Sequence, residues 1–270
     1  MPAMIETMIL AGRNRRVTRV CGAMAALLFI ALETMAQQVG TVPDYAREER
    51  WAEQIVPGIV VGDAVFLATP ARARVLALYT AADRPRGGVI VVHGAGVHPD
   101  WGLIGGLRSD LADAGLVTLS VQMPVLAAGA PREEYASLQA QSNQRLAAAI
   151  NFLESRSVKR IAIVAHSMGA GMVNAYLASP RAARIDAFVA IGMWGAFAVA
   201  PREPVLDVIA ESDFAEVRAT WPQRATTLPR DTCSKGIVVP GTDHYFENRQ
   251  KELVAAIVPF LNRALAGDCR

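Results

Sequence analysis

A serine stands between a strand-like run and a helix-like run, and this junction constrains the fold more than any other part of the chain. Residues 160–164 are apolar and β-branched, and residues 170–177 are small and apolar with helical spacing. The turn between them reads Ala165-His166-Ser167-Met168-Gly169. Small residues two before and two after the serine fit a sharp elbow that exposes the Ser167 hydroxyl. We predict a nucleophile there; an ordinary turn serine is the alternative.

A glycine-containing loop follows an earlier apolar run. Residues 88–92 read Gly-Val-Ile-Val-Val and lead into His93-Gly94-Ala95-Gly96. Glycines let the backbone turn and leave an N–H free to stabilise a developing oxyanion. We predict the backbone N–H groups of Ala95 and Met168 as the two oxyanion donors, with a plain loop as the alternative for the first.

A carboxylate and a histidine follow the serine, each at the end of a predicted strand. Residues 205–209 lead to Asp213, and residues 236–240 lead to His244. Open α/β sheets place their sites at the carboxyl ends of strands. A serine hydroxyl needs a base to remove its proton, and a carboxylate orients that base. The order therefore predicts Ser167 as nucleophile, His244 as base and Asp213 as acid.

Other acids and histidines are weighed against these assignments. Asp207 lies inside its strand and is interpreted as a structural carboxylate, with the acid role as its alternative. Asp243 adjoins the predicted base and fits turn chemistry. His166 is expected to pack beside the serine, and His93 to hydrogen-bond its own loop. His98 is a loop residue and a candidate for the substrate pocket.

The motifs together resemble the α/β-hydrolase superfamily over nearly all of the chain after residue 36. They resemble more closely a family of functionally uncharacterised bacterial secreted α/β-hydrolase-like proteins. The motifs that carry the resemblance are His93-Gly94-Ala95-Gly96, His98-Pro99-Asp100-Trp101, Leu107-Arg108, Thr118-Leu119-Ser120, Met123-Pro124, Ala165-His166-Ser167-Met168-Gly169-Ala170, Pro204-Val205-Leu206-Asp207 and Asp243-His244. Ala165 departs from the superfamily pattern, in which glycine is commoner. The resemblance implies a serine hydrolase.

Alternating strand and helix patterns predict an α/β fold with a mostly parallel eight-stranded sheet and helices on both faces. The predicted strands are 63–69, 72–80, 88–92, 116–122, 160–164, 185–191, 205–209 and 236–240, with the first two antiparallel at one edge. The predicted helices lie within 43–57 and over 101–114, 133–155, 170–177 and 248–266.

The chain leaves little or no room for a cap domain, because the gap between residues 191 and 204 is short. Trp194 and Phe197 lie in this gap and are candidates for lining a substrate pocket, with core packing as the alternative. The small-residue loop 124–131 is the other expected wall. An open, apolar entrance favours a short acyl ester.

Charge and motif content exclude several classes of partner. The formal charge is +2, but removing residues 1–36 leaves 23 basic and 23 acidic side chains. A neutral body gives no reason to expect nucleic acid or an anionic membrane as partner. The sequence shows no metal-ligand set and no dinucleotide or phosphate loop, so we expect no metal and no cofactor. The expected partner is a small-molecule ester or acyl substrate; protein partners are not indicated.

The first 36 residues are predicted to be a signal peptide, followed by a single domain over 37–270. A basic region around Arg15-Arg16 precedes an apolar run over 20–32 that is shorter than a typical spanning helix. Thr34-Met35-Ala36 fits a cleavage site before Gln37. General secretion is favoured over twin-arginine export, and an uncleaved anchor is the alternative. The mature chain is therefore expected in the periplasm or outside the cell.

Two cysteines, Cys233 and Cys269, remain after residue 36. An even count in an exported protein favours a disulfide, with two free thiols as the alternative. The final helix is expected to return Cys269 to the start of the last strand, close to Cys233.

The expected activity is carboxylic-ester hydrolysis through a Ser-His-Asp triad and an acyl-enzyme. An acyltransferase or a thioesterase could use the same triad. A non-catalytic envelope protein that binds a glycan, peptide or protein is the alternative from another class.

Overall fold

Eight strands form one twisted sheet in the computed structural model, which describes residues 42–269. The strands are β1 Asp63–Thr69, β2 Arg72–Thr80, β3 Gly88–Val92, β4 Val117–Val121, β5 Ile161–His166, β6 Ala187–Ile191, β7 Val205–Ser212 and β8 Lys235–Asp243. Their spatial order is β1-β2-β4-β3-β5-β6-β7-β8. The β1·β2 and β2·β4 pairs are antiparallel and all other pairs are parallel.

Six α-helices accompany the sheet within the described residues. They are α1 Tyr45–Ile55, α2 Gly102–Asp113, α3 Gln139–Ser155, α4 Met168–Leu177, α5 Ala215–Thr227 and α6 Gln250–Ala266. The central strands are buried on both faces, as parallel sheets covered by helices require. Alternate residues of β3 serve the two faces: Ile90 and Val92 join the core under α3 and α4, whereas Val89 and Val91 join the core under α2 and α6.

Two helical predictions need correction. The segment predicted as one helix over 133–155 is a 3₁₀ helix, Arg132–Leu138, followed by α3. Tyr135 and Leu138 are its buried residues, and their spacing of three matches three residues per turn. The helix α5 was not predicted, because Pro222 lies inside it and it buries only Val217 and Arg224.

A buried ion pair fastens α1, which precedes the sheet, to the domain core. The Arg145 guanidinium of α3 lies 3.0 Å from the Glu48 carboxylate of α1, and both side chains are almost fully buried. Burial raises the pKa of Glu48 despite the neighbouring guanidinium. Separating such a pair leaves a buried charge without its partner. Detaching α1 from the domain would therefore carry a large free-energy cost.

Cys233 and Cys269 form a disulfide, with Cα atoms 5.2 Å apart. The bridge joins the segment before β8 to Cys269, three residues after the end of α6. The predicted signal peptide and its cleavage site lie outside the described residues. Over residues 42–269, no helix combines the length and the hydropathy needed to cross a bilayer.

Candidate active site

Ser167 occupies the turn between β5 and α4 with a strained backbone. Its φ is +57° and its ψ is −125°, a region that residues other than glycine rarely adopt. The turn is tight: a Cβ at Gly169 would overlap the carbonyl oxygen of His93, and a Cβ at Gly94 would lie 3.2 Å from that of Ser167. The neighbouring Ala165 is fully buried in the core. Close backbone approach therefore requires a glycine at position 169.

His244 links Ser167 to Asp213 in one line of hydrogen bonds. Its Nε2 lies 2.8 Å from Ser167 Oγ, and its Nδ1 lies 2.6 Å from Asp213 Oδ1. Asp213 begins the turn after β7, and His244 immediately follows β8. With Nδ1–H donated to the carboxylate, Nε2 is left to accept the serine proton.

The Asp213 carboxylate is held as an anion. Burial alone would raise its pKa, but hydrogen bonds from His244 and from the backbone N–H groups of Ala210 and Phe214 outweigh burial and lower it. These three donors leave the carboxylate facing Nδ1 of the imidazole. The geometry can therefore orient the ring and stabilise an imidazolium.

A glycine lies against the His244–Asp213 pair. Gly192 follows β6 with φ +59°, and a Cβ there would lie 2.8 Å from His244 Cε1 and 3.0 Å from Nδ1. On another side, the ring of Phe214 stacks on the imidazole at 4.1 Å between centroids. The imidazole of His244 therefore lies between the backbone of Gly192 and the ring of Phe214, which together restrict its position.

The two backbone N–H groups predicted as oxyanion donors flank Ser167. Met168 is the first residue of α4, so its N–H lies at the positive end of the helix dipole. Ala95 belongs to the loop after β3, beside Gly94, which contacts the serine turn. Within residues 42–269, neither N–H has a protein hydrogen-bond acceptor. Ala95 lines the cavity described below, and Met168 directly follows Ser167, which also lines it.

The other acids lie where the sequence reading put them. Asp207 is fully buried in β7 and pairs with the Arg224 guanidinium of α5 at 2.9 Å, which is a structural contact. Asp243 accepts a hydrogen bond from the backbone N–H of Tyr245, as a turn carboxylate does. Neither of the two contacts the imidazole of His244 through a hydrogen bond in the described structure.

The remaining histidines serve structural contacts. His93 hydrogen-bonds the carbonyl of Gly94 in its own loop and also accepts from the backbone N–H of Met123, which joins the loops after β3 and β4. Burial lowers its pKa to about 3. Burial, and then the neighbouring base, lower the pKa of His166 to about 4. Both rings are neutral at neutral pH.

A cavity of about 660 Å³ opens above Ser167. Of the three residues predicted for its wall, Trp194 lines it, whereas His98 and Phe197 do not. His98 packs between the rings of Trp51 and Trp101, and Phe197 packs against the hydrophobic core, so neither side chain reaches the cavity. The predicted wall from loop 124–131 is present through Ala127, Gly129 and Ala130.

Several lining residues were not predicted. They are Arg47, Trp101, Arg132, Tyr135, Phe214, Tyr245 and Glu247. Phe214 and Tyr245 directly follow the predicted acid and base, so their place in the sequence could have indicated them. Nothing near Arg47 in the sequence signals its position. Among the described residues, no three His, Cys, Asp or Glu side chains are grouped as metal ligands.

The sequence matches a family described as protein of unknown function, DUF3530, over residues 36–144. This range contains α1 and the loop with Ala95, and it ends before Ser167. No curated protein matches the sequence significantly.

Solved structures with a similar fold are numerous, all at low sequence identity. A putative α/β hydrolase from Agrobacterium tumefaciens is 18% identical, with a TM-score of 0.59 over 77% of this chain and 99% of its own. Est1E from Butyrivibrio proteoclasticus with ferulic acid bound is 15% identical, with a TM-score of 0.60 over 75% and 100%. An α/β serine hydrolase without a lid from Xanthomonas campestris is 14% identical, with a TM-score of 0.58 over 76% and 95%. The predicted α/β-hydrolase fold is confirmed.

Proposed function

We propose that this protein is a serine hydrolase that cleaves carboxylic esters. The hydrogen-bonded line from Ser167 through His244 to Asp213, with Ser167 and His244 on the wall of a cavity, carries the proposal. A protein that only binds a ligand needs neither an aligned base nor a serine with φ +57°. The similar structures named above include serine hydrolases and an esterase, which supports the same class.

The proposed reaction has two halves. His244 Nε2 takes the proton from Ser167 Oγ as the oxygen attacks the ester carbonyl, and Asp213 stabilises the imidazolium. The N–H groups of Ala95 and Met168 stabilise the tetrahedral oxyanion. The protonated His244 then gives its proton to the leaving alkoxide, which leaves an acyl group on Ser167. Water, activated by the same histidine, attacks the acyl-enzyme and releases the acid.

The cavity supports a compact substrate with apolar or aromatic parts. Its volume of about 660 Å³ lies in the range typical of small-molecule sites. Five aromatic residues line it: Trp101, Tyr135, Trp194, Phe214 and Tyr245. Est1E, at 15% identity, holds ferulic acid, an aromatic carboxylic acid. We therefore propose esters with a short or aromatic acyl group as the first substrates to screen.

We also propose that the protein works outside the cytoplasm. The basic and apolar residues of 1–36 motivate this proposal, and a Cys233–Cys269 bridge suits an oxidising compartment. The mass of the protein recovered from the periplasm or medium tests it: cleavage before Gln37 is expected. An intact N-terminus would contradict the export proposal and leave the hydrolase proposal standing.

A fluorophosphonate probe tests the activity, because only an activated serine reacts with it. Wild type should be labelled and should hydrolyse p-nitrophenyl esters, and Ser167→Ala should do neither. Ser157→Ala is the matched control, since Ser157 also has a positive φ, +65°, but lies outside the cavity. Labelling of Ser167→Ala would place the nucleophile elsewhere. No labelling of wild type would favour the binding-protein alternative.

A second assay separates the enzymatic alternatives. Matched oxygen esters and thioesters are compared, with and without a small alcohol as acyl acceptor. Faster cleavage of the thioester would favour a thioesterase, and transfer to the alcohol in place of hydrolysis would favour an acyltransferase.

A further inference from the structure

The helix α1 reaches the active-site cavity through one side chain, Arg47. Its Nη1 donates to the carbonyl oxygen of Leu126 at 2.9 Å, and its Nη2 donates to the carbonyl oxygen of Gly96 at 3.0 Å. Gly96 lies in the loop that carries the Ala95 N–H, and Leu126 lies in the loop that forms the opposite wall. One guanidinium thus bridges two walls of the cavity.

The helix that carries Arg47 is held rigidly. The backbone N–H of Asp44 donates to the carbonyl of Val125 at 2.7 Å, next to the Leu126 that Arg47 holds. The Asp44 carboxylate in turn caps α1 through the N–H of Arg47. The buried Glu48–Arg145 pair fastens the next residue of the helix to α3. The backbone of Arg47 is therefore held in place by contacts on both sides of it.

The guanidinium itself is also confined. It lies over the ring of Trp51 at 4.5 Å from the centroid. The guanidinium lies directly against Gly96, since a Cβ there would be in ordinary van der Waals contact, 3.8 Å, with both terminal nitrogens; the φ of +68° suits glycine at this position. A planar fork with two donors fits two carbonyls, whereas a lysine ammonium offers a single point.

We propose that Arg47 is a positioning residue that orients the oxyanion loop so that the Ala95 N–H faces the reacting carbonyl. The inference rests on the proposed ester hydrolysis and adds a residue outside the triad that positions an oxyanion donor. Arg47 holds the carbonyl of the Gly96–Val97 peptide. That peptide lies two units beyond the Gly94–Ala95 peptide that carries the N–H, so the bond anchors the loop close to the donor. It acts on the transition state more than on the bound substrate, because the N–H binds the oxyanion that develops there.

Arg47→Ala and Arg47→Gln test the proposal beside the matched control Arg50→Ala, since Arg50 is exposed on the same helix. Two ligands are compared for each variant. A trifluoromethyl ketone forms a hemiketal oxyanion with Ser167, and the corresponding alcohol fills the cavity without one. We expect kcat/KM and ketone affinity to fall together by tenfold to about a hundredfold in Arg47→Ala. Affinity for the alcohol should stay within about twofold, and Arg50→Ala should match wild type.

Addition of millimolar guanidinium to Arg47→Ala provides a second readout. A purely structural defect would not respond, whereas a vacant site between the Gly96 and Leu126 carbonyls should recover part of kcat. If Arg47→Ala does not fold, the ratio of ketone affinity to alcohol affinity is measured in Arg47→Gln instead, and a fall in that ratio is expected.

Three outcomes would overturn the inference. Unchanged kcat/KM in both variants of Arg47 would show that the loop orients itself. If Arg47→Ala lowers the affinities for the ketone and the alcohol equally, and guanidinium restores no activity, Arg47 only shapes the cavity. A wild type that neither hydrolyses esters nor binds the ketone would overturn the proposed function as well, which the first two outcomes leave intact.

Discussion

The side chain of His166 donates a hydrogen bond through Nε2 to the backbone carbonyl of His244, across 2.9 Å. A carbonyl oxygen only accepts, so the proton must lie on Nε2. The residue before the nucleophile therefore holds the backbone of the residue predicted as the base. Their rings lie 4.8 Å apart, close enough that a charge on one disfavours a charge on the other.

The buried histidines predict a loss of stability in acid. The pKa of His166 is lowered from 6.5 to about 4, so between these values the unfolded chain binds more protons than the folded one. The free energy of unfolding should fall as the pH drops from 6.5 towards 4, by about 3 kcal/mol at most from this residue. Urea unfolding across that range should show a shallower dependence for His166→Asn, which keeps an N–H donor. Equal slopes would contradict this.

Asp213→Asn should lower kcat far more than Asp243→Asn or Asp207→Asn does. An amide in place of the carboxylate no longer holds the Nδ1–H tautomer, and the loss in kcat can reach about ten-thousand-fold. Asp243→Asn should stay near wild type, because its carboxylate caps only a turn. Steady-state kinetics with p-nitrophenyl esters measure both.

Asp207→Asn should lose stability more than catalysis. It leaves the fully buried Arg224 guanidinium without its carboxylate, which typically costs about 3 to 5 kcal/mol. A lowered Tm with near-normal kcat in the folded protein is expected. A folded Asp207→Asn with crippled catalysis would instead make Asp207 the triad acid.

Gly192→Ala should abolish the proposed activity while leaving the protein folded. The added methyl group would push into His244, and the φ of +59° adds a backbone cost of about 1 to 2 kcal/mol. Gly195→Ala is the matched control, since φ is +77° there but nothing lies within 4 Å of its added Cβ. Both variants should lose similar stability, and only Gly192→Ala should lose fluorophosphonate labelling. Equal labelling would mean that His244 moves aside freely.

Loss of the disulfide should lower stability without changing the chemistry. The bridge spans 36 residues, and the loop-entropy relation gives up to about 4 kcal/mol. In the Cys233→Ser/Cys269→Ser variant, we expect a lower Tm and an unchanged kcat at temperatures where the protein stays folded. A large fall in kcat at those temperatures would show that the bridge shapes the site.

Local patterns predicted most of the fold. The bounds of β1, β2 and β3 agree with the structure residue for residue, because Pro70 marks the turn between β1 and β2 and β3 is a continuous apolar run. The sequence of α5 gives only a weak helical pattern, because Pro222 lies inside it and its buried face consists of Val217 and Arg224. The functional roles of Ser167 and its partners stay predictions, although their side chains meet.

The cavity wall could not be read from the sequence to the same extent. Arg47 contacts carbonyls 49 and 79 residues away, and no local pattern encodes such contacts. His98 seemed a wall residue from its place after the glycine loop, yet two tryptophan rings hold it elsewhere. Side-chain direction in loops depends on neighbours that only the folded chain supplies.

The predicted nucleophile, Ser167, follows the central strand β5, whereas the predicted base, His244, follows the edge strand β8, which pairs among the described strands with β7 alone. A chain made from its N-terminus thus acquires Ser167 and Asp213 well before His244. Under the proposed mechanism, the chain lacks its base during synthesis until β8 and His244 have been made, so ester cleavage would begin only once β8 has joined the sheet. The proposed activity would therefore report that the β8 edge has formed, and fraying of this edge would abolish it while the rest of the sheet stayed intact.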